Sequence, residues 1–293
     1  MKILVFGALH IDCVFEVDHI AVPGETLQTC NGEKNAGGKG ANQAAALGKA
    51  GAEVYMAGKI GEDGKFILDL LESCGVKTEH VKVYDGATVQ AFIQVDKNGQ
   101  NAIVCYAEKD SEIAQSDIEP ALSAFGQGDI ISLQNEIPFT AEMMRAAKKR
   151  GMKICLNPSP YDEKIEKLPL ELADIFIVNE IEGPALASLK AGAAPNEILD
   201  SLVKRFPGKE IILTAGREGA YYACDSRREK GDIVDLPVED TTGAGDTFTG
   251  FYLAARAKDY SVACSLGLAC KAASIAVSRK GALPSIPKGS EVF

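Results

Sequence analysis

The stretch EDTTGAGDTFTGF, Glu239–Phe251, places Gly243, Ala244 and Gly245 directly before Asp246, and apolar helix-like sequence follows. Small residues at a helix start leave free N–H groups pointing one way, with the positive end of the helix dipole behind them. Phosphate is the natural guest of such an anion hole. Asp246 would repel that guest, so its own partner is expected to be a hydroxyl on a second molecule. Helix capping is the plain alternative for an Asp in this position, but it leaves the glycines unexplained. A second cluster, NAGGKGANQAAALG, carries Gly37, Gly38 and Gly40, which allow close backbone approach. Lys39 and Asn42 stand among these glycines at the start of an Ala-rich helix and suit a polyhydroxylated ligand. A flexible loop is the competing reading. Lys39 is followed by Gly rather than Ser or Thr, so this is not a P-loop, and the spacing is not a dinucleotide fingerprint.

Two further segments end apolar runs with polar residues. VNEIEGPAL offers Asn179 and Glu182, which could reach phosphate oxygens or water around a divalent metal. LTAGREGAYY offers Thr214, Gly216 and Gly219 in a tight strand-to-strand turn that could hold a nucleotide. Ordinary turn chemistry is a sufficient explanation of either one alone.

The elements that must position these residues form a βαβ rhythm. KILVFGAL, EVYMAGKIG, GDIISLQNE, MKICLNP, ADIFIVNE and KEIILTAG read as strands, the later ones apolar throughout, as in a sheet covered on both faces. GANQAAALGKAGA, DGKFILDLLESCG and TAEMMRAAKKRG read as helices. The expected fold class is α/β, with a mostly parallel sheet between helices. Two segments alternate apolar and polar residues instead: CVFEVDHIAVPGETLQTCNGEKN and TVQAFIQVDKNGQNAIVCYAEKD, the second with Asn98-Gly99 as a hairpin signal. They are expected to be antiparallel strands of one small projecting sheet, about residues 13–35 and 89–108, within a single α/β domain spanning 1–293.

The chain has 293 residues, 46% of them hydrophobic, enough for a sizeable core, and a formal net charge of −10. That charge argues against nucleic acid as the main partner. No apolar run is long enough to span a bilayer, and MKILVFGALHIDC reads as a buried strand rather than a signal peptide, so a cytosolic protein with no membrane partner is expected. Eight cysteines form no CxxC pair and are expected to be reduced core thiols.

GGKGANQA and DTTGAGDTFTG, together with the order of NEIE, TAGREG and SRKGALPSIP, resemble the signature regions of the ribokinase, or PfkB, family of carbohydrate kinases across essentially the whole chain. The resemblance implies a Rossmann-like body with a small β-sheet lid that often forms a homodimer contact. It implies ATP-dependent transfer of a phosphoryl group to a sugar hydroxyl, with D-ribose the first choice and another pentose, a ketohexose or a nucleoside as rivals. Carried over by residue, it implies that Asp12, Gly38, Lys39, Asn42 and Glu136 line the sugar site and that Asp246 is the catalytic base. Asn179, Thr214, Gly216, Gly219 and Gly245 would hold ATP, Glu182 would help organise Mg²⁺, and the amides of Gly243, Ala244 and Gly245 would receive the moving phosphoryl group. A monovalent cation, K⁺, would lie near Asp240, Thr242, Ala276, Arg279, Gly281 and Ser285. Two departures stand near the expected sugar site: His10 where the family usually has Asn, and YAEKDSEI where it usually has Gly-Ala-Asn. His10 is either a hydroxyl-binding residue or a buried histidine satisfied by the backbone. A sugar-binding regulator without catalysis is disfavoured by the intact GAGD. A nicotinamide oxidoreductase is disfavoured because no GxGxxG follows the first strand.

Overall fold

The structure, a computed structural model, describes residues 1–29, 31–108 and 111–293. Cys30, and Lys109 and Asp110 within YAEKDSEI, lie outside the described residues.

In chain order the strands are β1 (Ile3–Phe6), β2 (His10–Val17), β3 (Gly32–Gly37), β4 (Val54–Gly61), β5 (Lys77–Tyr84), β6 (Gln90–Asp96), β7 (Asn101–Tyr106), β8 (Ile130–Leu133), β9 (Lys153–Leu156), β10 (Ile175–Asn179), β11 (Glu210–Thr214), β12 (Ala220–Cys224) and β13 (Arg227–Gly231). The helices are α1 (Lys39–Lys49), α2 (Lys65–Ser73), α3 (Ile118–Leu122), α4 (Thr140–Lys149), α5 (Glu182–Leu186), α6 (Pro195–Arg205), α7 (Ala244–Ala257), α8 (Val262–Val277) and α9 (Gly289–Val292).

Nine strands form one sheet in the order β13-β12-β11-β10-β9-β8-β1-β4-β5, parallel from β11 to β5 and antiparallel where β12 and β13 are added. Alternation along β1 shows why the sheet is covered on both sides. Ile3 and Val5 point into the core shared with α1, α7 and α8, whereas Leu4 and Phe6 point into the core shared with α3, α4 and α6. All four are at most 1% exposed, and each such side chain contributes about 1.5–3 kcal/mol of burial. The direction of winding reverses at β1, which pairs with β4 on one side and β8 on the other. In an open α/β sheet the ligand crevice lies at the carboxyl ends of the strands at such a point.

The two alternating segments do meet in a separate four-stranded sheet, in the order β3-β2-β6-β7. One expectation is corrected: β2 and β6 pair in parallel, and only β2–β3 and β6–β7 are antiparallel. A parallel pair needs a long crossover, and here α1, β4, α2 and β5 supply it from the main body. The hairpin between β6 and β7 turns where expected. The Asp96 carboxylate accepts from the amides of Asn98 and Gln100, at 2.8 and 2.9 Å. The cysteine expectation is corrected in part. Cys13, Cys74, Cys155 and Cys270 are buried and Cys224 is half-buried, but Cys105 and Cys264 are exposed, because β7 lies at the edge of the small sheet and Cys264 in the first turn of α8. Among the described residues, no helix is long and apolar enough to cross a membrane.

Candidate active site

Helices α1 and α7 bring the two signature segments together. Their contact is possible because the residues between them are small: a Cβ on Gly250 would come within 2.4 Å of the Ala46 Cβ. Gly250 follows Asp246 by one helical turn, and Ala46 follows Asn42 likewise. The close approach therefore places the Asp246 carboxylate against the first turn of α1. Asn42 Nδ2 donates to Asp246 Oδ2 at 3.1 Å, and Gln43 Nε2 donates to Oδ1 at 3.0 Å.

These contacts remove the capping reading of Asp246. The residue before α7 is Gly243, in the left-handed conformation at φ 75°, and among the described residues no side chain caps the helix. Glycine is the residue that takes this turn without steric cost. The Ala244 amide leans back on the Thr241 carbonyl at 3.3 Å. Among the described residues nothing in the protein accepts from the Gly245 or Asp246 amides, and a Cβ on Gly245 would meet no protein atom within 4 Å. Open space thus lies beside Gly245.

That space belongs to a cleft of about 180 Å³ that joins Lys39, Gly243, Ala244, Gly245 and Asp246 to the strand ends bearing Asn157, Asn179, Glu182 and Thr214. Asn179 and Thr214 are neighbours because β10 and β11 pair in register at their last residues. Asn179 and Glu182 also bond to each other: Asn179 Oδ1 accepts from the amides of Ile181 and Glu182 at 2.8 Å, and Glu182 Oε2 accepts from the Asn179 amide at 3.2 Å. Their reciprocal bonds shape the start of α5 and hold both side chains at the cleft wall. Gly216 and Gly219 sit in the turn between β11 and β12, where the Ala215 amide donates to the Gly219 carbonyl at 2.8 Å. They are not among the residues that line the cleft.

On the other side of Asp246 stand the residues expected around a sugar. His10 and Asp12 are on β2, the first strand of the small sheet, and pair with Gly37 and Asn35 of β3. The Gly37 backbone lies so close to Asp12 that a Cβ would fall 2.1 Å from the carboxylate. Gly38 precedes α1 and Lys39 opens it. The Lys39 amide donates to Glu136 Oε2 at 2.7 Å, which ties the start of α1 to the segment after β8. Asn42 Oδ1 is buried and, among the described residues, has no partner.

Burial governs the charges here. It raises the Asp246 carboxyl above its ordinary range, against the opposing pull of Lys39 and of the Gln43 and Asn42 amides. It raises Glu136 to about 7, with the Lys39 amide and ammonium opposing and the charges of Asp246 and Asp12 adding to the rise. Burial also raises Asp12 to about 6 and Glu182 above its ordinary value. His10 is lowered by burial to about 4 and is therefore neutral at pH 7, with one ring nitrogen to donate and one to accept.

The segment beside the anion hole brings two of the expected cation-site stretches together. Asp240 Oδ1 accepts from the Thr242 amide and hydroxyl at 2.9 and 2.7 Å, and Oδ2 accepts from the Gly281 amide at 2.9 Å. Partial burial pushes the Asp240 carboxyl up, but these bonds outweigh it and hold it below its ordinary value. The Ala276 carbonyl accepts from the Arg279 amide at 3.0 Å, and the Ser285 hydroxyl donates to the Ala282 carbonyl at 2.7 Å.

Sequence reasoning missed Gln43, Ser132, Gln134 and Asn157, all buried and mutually hydrogen-bonded. Their signal was present in Gln43 next to Asn42 on an Ala-rich helix, and in polar residues on the otherwise apolar strand segments IISLQNE and CLNP.

A model for pfkB family carbohydrate kinases matches residues 1–289. The chain belongs to the pfkB family of carbohydrate kinases. It is 33% identical over 298 residues to a ribokinase of Haemophilus influenzae, an alignment that covers 99% of this chain and 96% of that protein. A crystal structure of ribokinase from Cryptococcus neoformans in complex with ADP superposes with a TM-score of 0.85 at 30% identity, covering 99% of this chain and 98% of that one. A ribokinase of Arabidopsis thaliana complexed with ribose and ATP gives a TM-score of 0.86 at 29% identity, covering 99% and 97%. The enzyme is thus a ribokinase-like carbohydrate kinase, and the oxidoreductase alternative falls away.

Proposed function

We propose that this pfkB kinase transfers the γ-phosphoryl group of ATP to D-ribose, giving ribose 5-phosphate. The observation that carries the reading is the cleft in which a buried carboxylate, Asp246, stands beside two unengaged amides at the start of α7. Phosphoryl transfer asks a protein for positioning and charge stabilisation. Asp246 accepts the proton of the attacking hydroxyl as the oxygen–phosphorus bond forms. The Gly245 and Asp246 amides, with the dipole of α7, receive the charge on the moving group, within the segment Gly243, Ala244 and Gly245. His10, Asp12, Gly38, Lys39, Asn42 and Glu136 hold the sugar, and the free Oδ1 of Asn42 is an acceptor for one of its hydroxyls. Asn179, Thr214, Gly216, Gly219 and Gly245 hold the nucleotide.

Mg²⁺ fits the cleft as an ion bound largely by phosphate oxygens and water, since among the described residues no three His, Cys, Asp or Glu side chains gather into a metal cage. Glu182, held by the Asn179 amide, would orient that water, and the ion would supply neutralisation of phosphate charge. K⁺ would be held near Asp240, whose carboxylate links Thr242 to Gly281 beside the anion hole.

A coupled ADP assay against ribose, other pentoses, ketohexoses and nucleosides tests the substrate. Ribose is expected to give the highest kcat/KM, and a higher value with another acceptor would overturn it.

The small sheet is read as a lid over the sugar and as the contact of a homodimer. Ile103, Val104 and Tyr106 are 53%, 68% and 49% exposed on its edge strand, apolar surface that a second copy would cover. A monomer mass by light scattering at working concentration sinks the dimer. The cytosol suits the unpaired cysteines of the described chain and the supply of ATP. Recovery of the protein in a secreted fraction would contradict that location.

A further inference from the structure

Gln43 is fully buried at the centre of a polar network that the carboxylate of Asp246 completes. Its Nε2 hydrogens go to Asp246 Oδ1 at 3.0 Å and to Asn157 Oδ1 at 3.1 Å. Its Oε1 accepts from Ser132 Oγ at 3.0 Å and from Gln134 Nε2 at 2.7 Å. Both hydrogens and both lone pairs of the amide are used. A flipped amide would set Oε1 against the Asp246 carboxylate and against Asn157 Oδ1, whose own amide is held by the Ile177 carbonyl, so the orientation is determined by these two acceptors. Ser132 is in β8, Gln134 follows it, and Asn157 follows β9 and is itself anchored to the Ile177 carbonyl of β10 at 2.9 Å. The central sheet therefore dictates, through Gln43, where an N–H meets Asp246.

We infer that Gln43 is the positioning residue of the base: it fixes one carboxylate oxygen in place and favours the ionised form that accepts the sugar proton. This rests on the reading of Asp246 as the base. The charged groups acting around that carboxylate are Lys39 from α1, Glu136 from the segment after β8 and Glu182 from α5. Lys39 alone among them favours ionisation, and the Gln43 and Asn42 amides add to its support for the charge. Asn42 has a different place, because among the described residues its Oδ1 has no partner, and its orientation is not tied to the sheet.

The test is single-turnover phosphoryl transfer at saturating ribose and ATP across pH, for the wild type, Gln43→Met, Ser132→Ala and Asp246→Asn. Gln43→Met keeps the side-chain length and removes the donors. It is expected to slow transfer at neutral pH about tenfold or more and to move the acidic limb upward by about one pH unit, with KM for ATP unchanged. Ser132→Ala loosens the amide from the sheet and is expected to shift the limb in the same direction by less. A folded Gln43→Met enzyme whose acidic limb stays at the wild-type pH overturns the inference. Should Gln43→Met fail to fold, an unmoved limb in Ser132→Ala does so instead. Asp246→Asn separates the two failures: near-normal transfer there removes the base reading itself, whereas an inactive Asp246→Asn beside an unmoved Gln43→Met limb removes only the role of Gln43.

Discussion

Asp240 and Asp246 flank the same glycine-led turn, yet the fold treats their carboxylates in opposite ways. Asp240 is half-buried and accepts from two backbone amides and a hydroxyl, all from the loops around it. Those donors win over burial, and the group is held in its ionised form below its ordinary range. Asp246 is 5% exposed and, among the described residues, accepts only from two side-chain amides of a helix distant in sequence. There burial wins, and the group is raised. A permanently charged carboxylate suits a structural or cation-holding task. One pushed toward neutrality is poised to take up and release a proton. The difference follows from what surrounds each residue, since the side chains are chemically identical.

The strongest test of that contrast is Asp246→Asn, which keeps the shape and removes the proton acceptor. kcat is expected to fall by about 10²–10⁴-fold, with ATP binding nearly unchanged because the α7 amides remain. A coupled ADP assay and a nucleotide titration measure the two quantities, and near-normal turnover would erase the distinction between the two aspartates.

The counterpart is Asp240→Ala, expected to leave a folded enzyme whose rate no longer differs between K⁺ and choline salts, while the wild type is several-fold faster in K⁺. Equal wild-type rates in the two salts would remove the cation role of Asp240. Because the Asp240 carboxyl is lowered in the fold, its contribution to stability is present above its unfolded value and is lost as pH falls through the lower folded one. The substitution should cost about 1 kcal/mol at neutral pH and less in strong acid, as read by denaturant unfolding.

Glu136 sharpens the comparison with a third carboxylate, raised to about 7 mainly by burial. Its folded value exceeds its unfolded one, so its stabilising effect is present below about 4.5 and is lost as pH rises through about 7. Without ligands, Glu136→Gln is therefore expected to melt about 2–4 °C above the wild type at pH 8 and close to it at pH 4. On the proposed role of Glu136 at the sugar, KM for ribose should rise as well. Equal melting temperatures at pH 8 would show that the Lys39 contacts already offset the burial.

Much of this was legible beforehand for a physical reason. Apolar runs such as IFIV of β10 and the small residues of α1 report burial directly, and Gly243 reports a backbone turn that glycine takes best, so periodicity and composition sufficed for the elements and for the start of α7. The parallel pairing of β2 with β6 was not legible. Alternation shows that a strand has one wet face, but it carries no information on which neighbour the strand meets or in which direction. Lys39, Asn42 and Asp246 were singled out as polar residues among small ones. Gln43 carries no mark of its target in the sequence, because it meets Asp246 only through the contact of two helices distant in the chain.

The sequence by itself determined the α/β rhythm, the two glycine-rich helix starts and the chemical types available at each. Only the tertiary structure decided that the Asp246 carboxylate turns away from its own helix end and onto the amides of Asn42 and Gln43. That outcome depends on the close approach of α1 and α7 across Ala46 and Gly250, a distance between segments far apart in the chain. The same packing buries Asp246 to 5% exposure and raises its carboxyl, while the loop around Asp240 stays open and keeps that carboxyl low. Local residue types name the candidates, but burial and partner geometry assign their charge, and both arise only when distant segments close together.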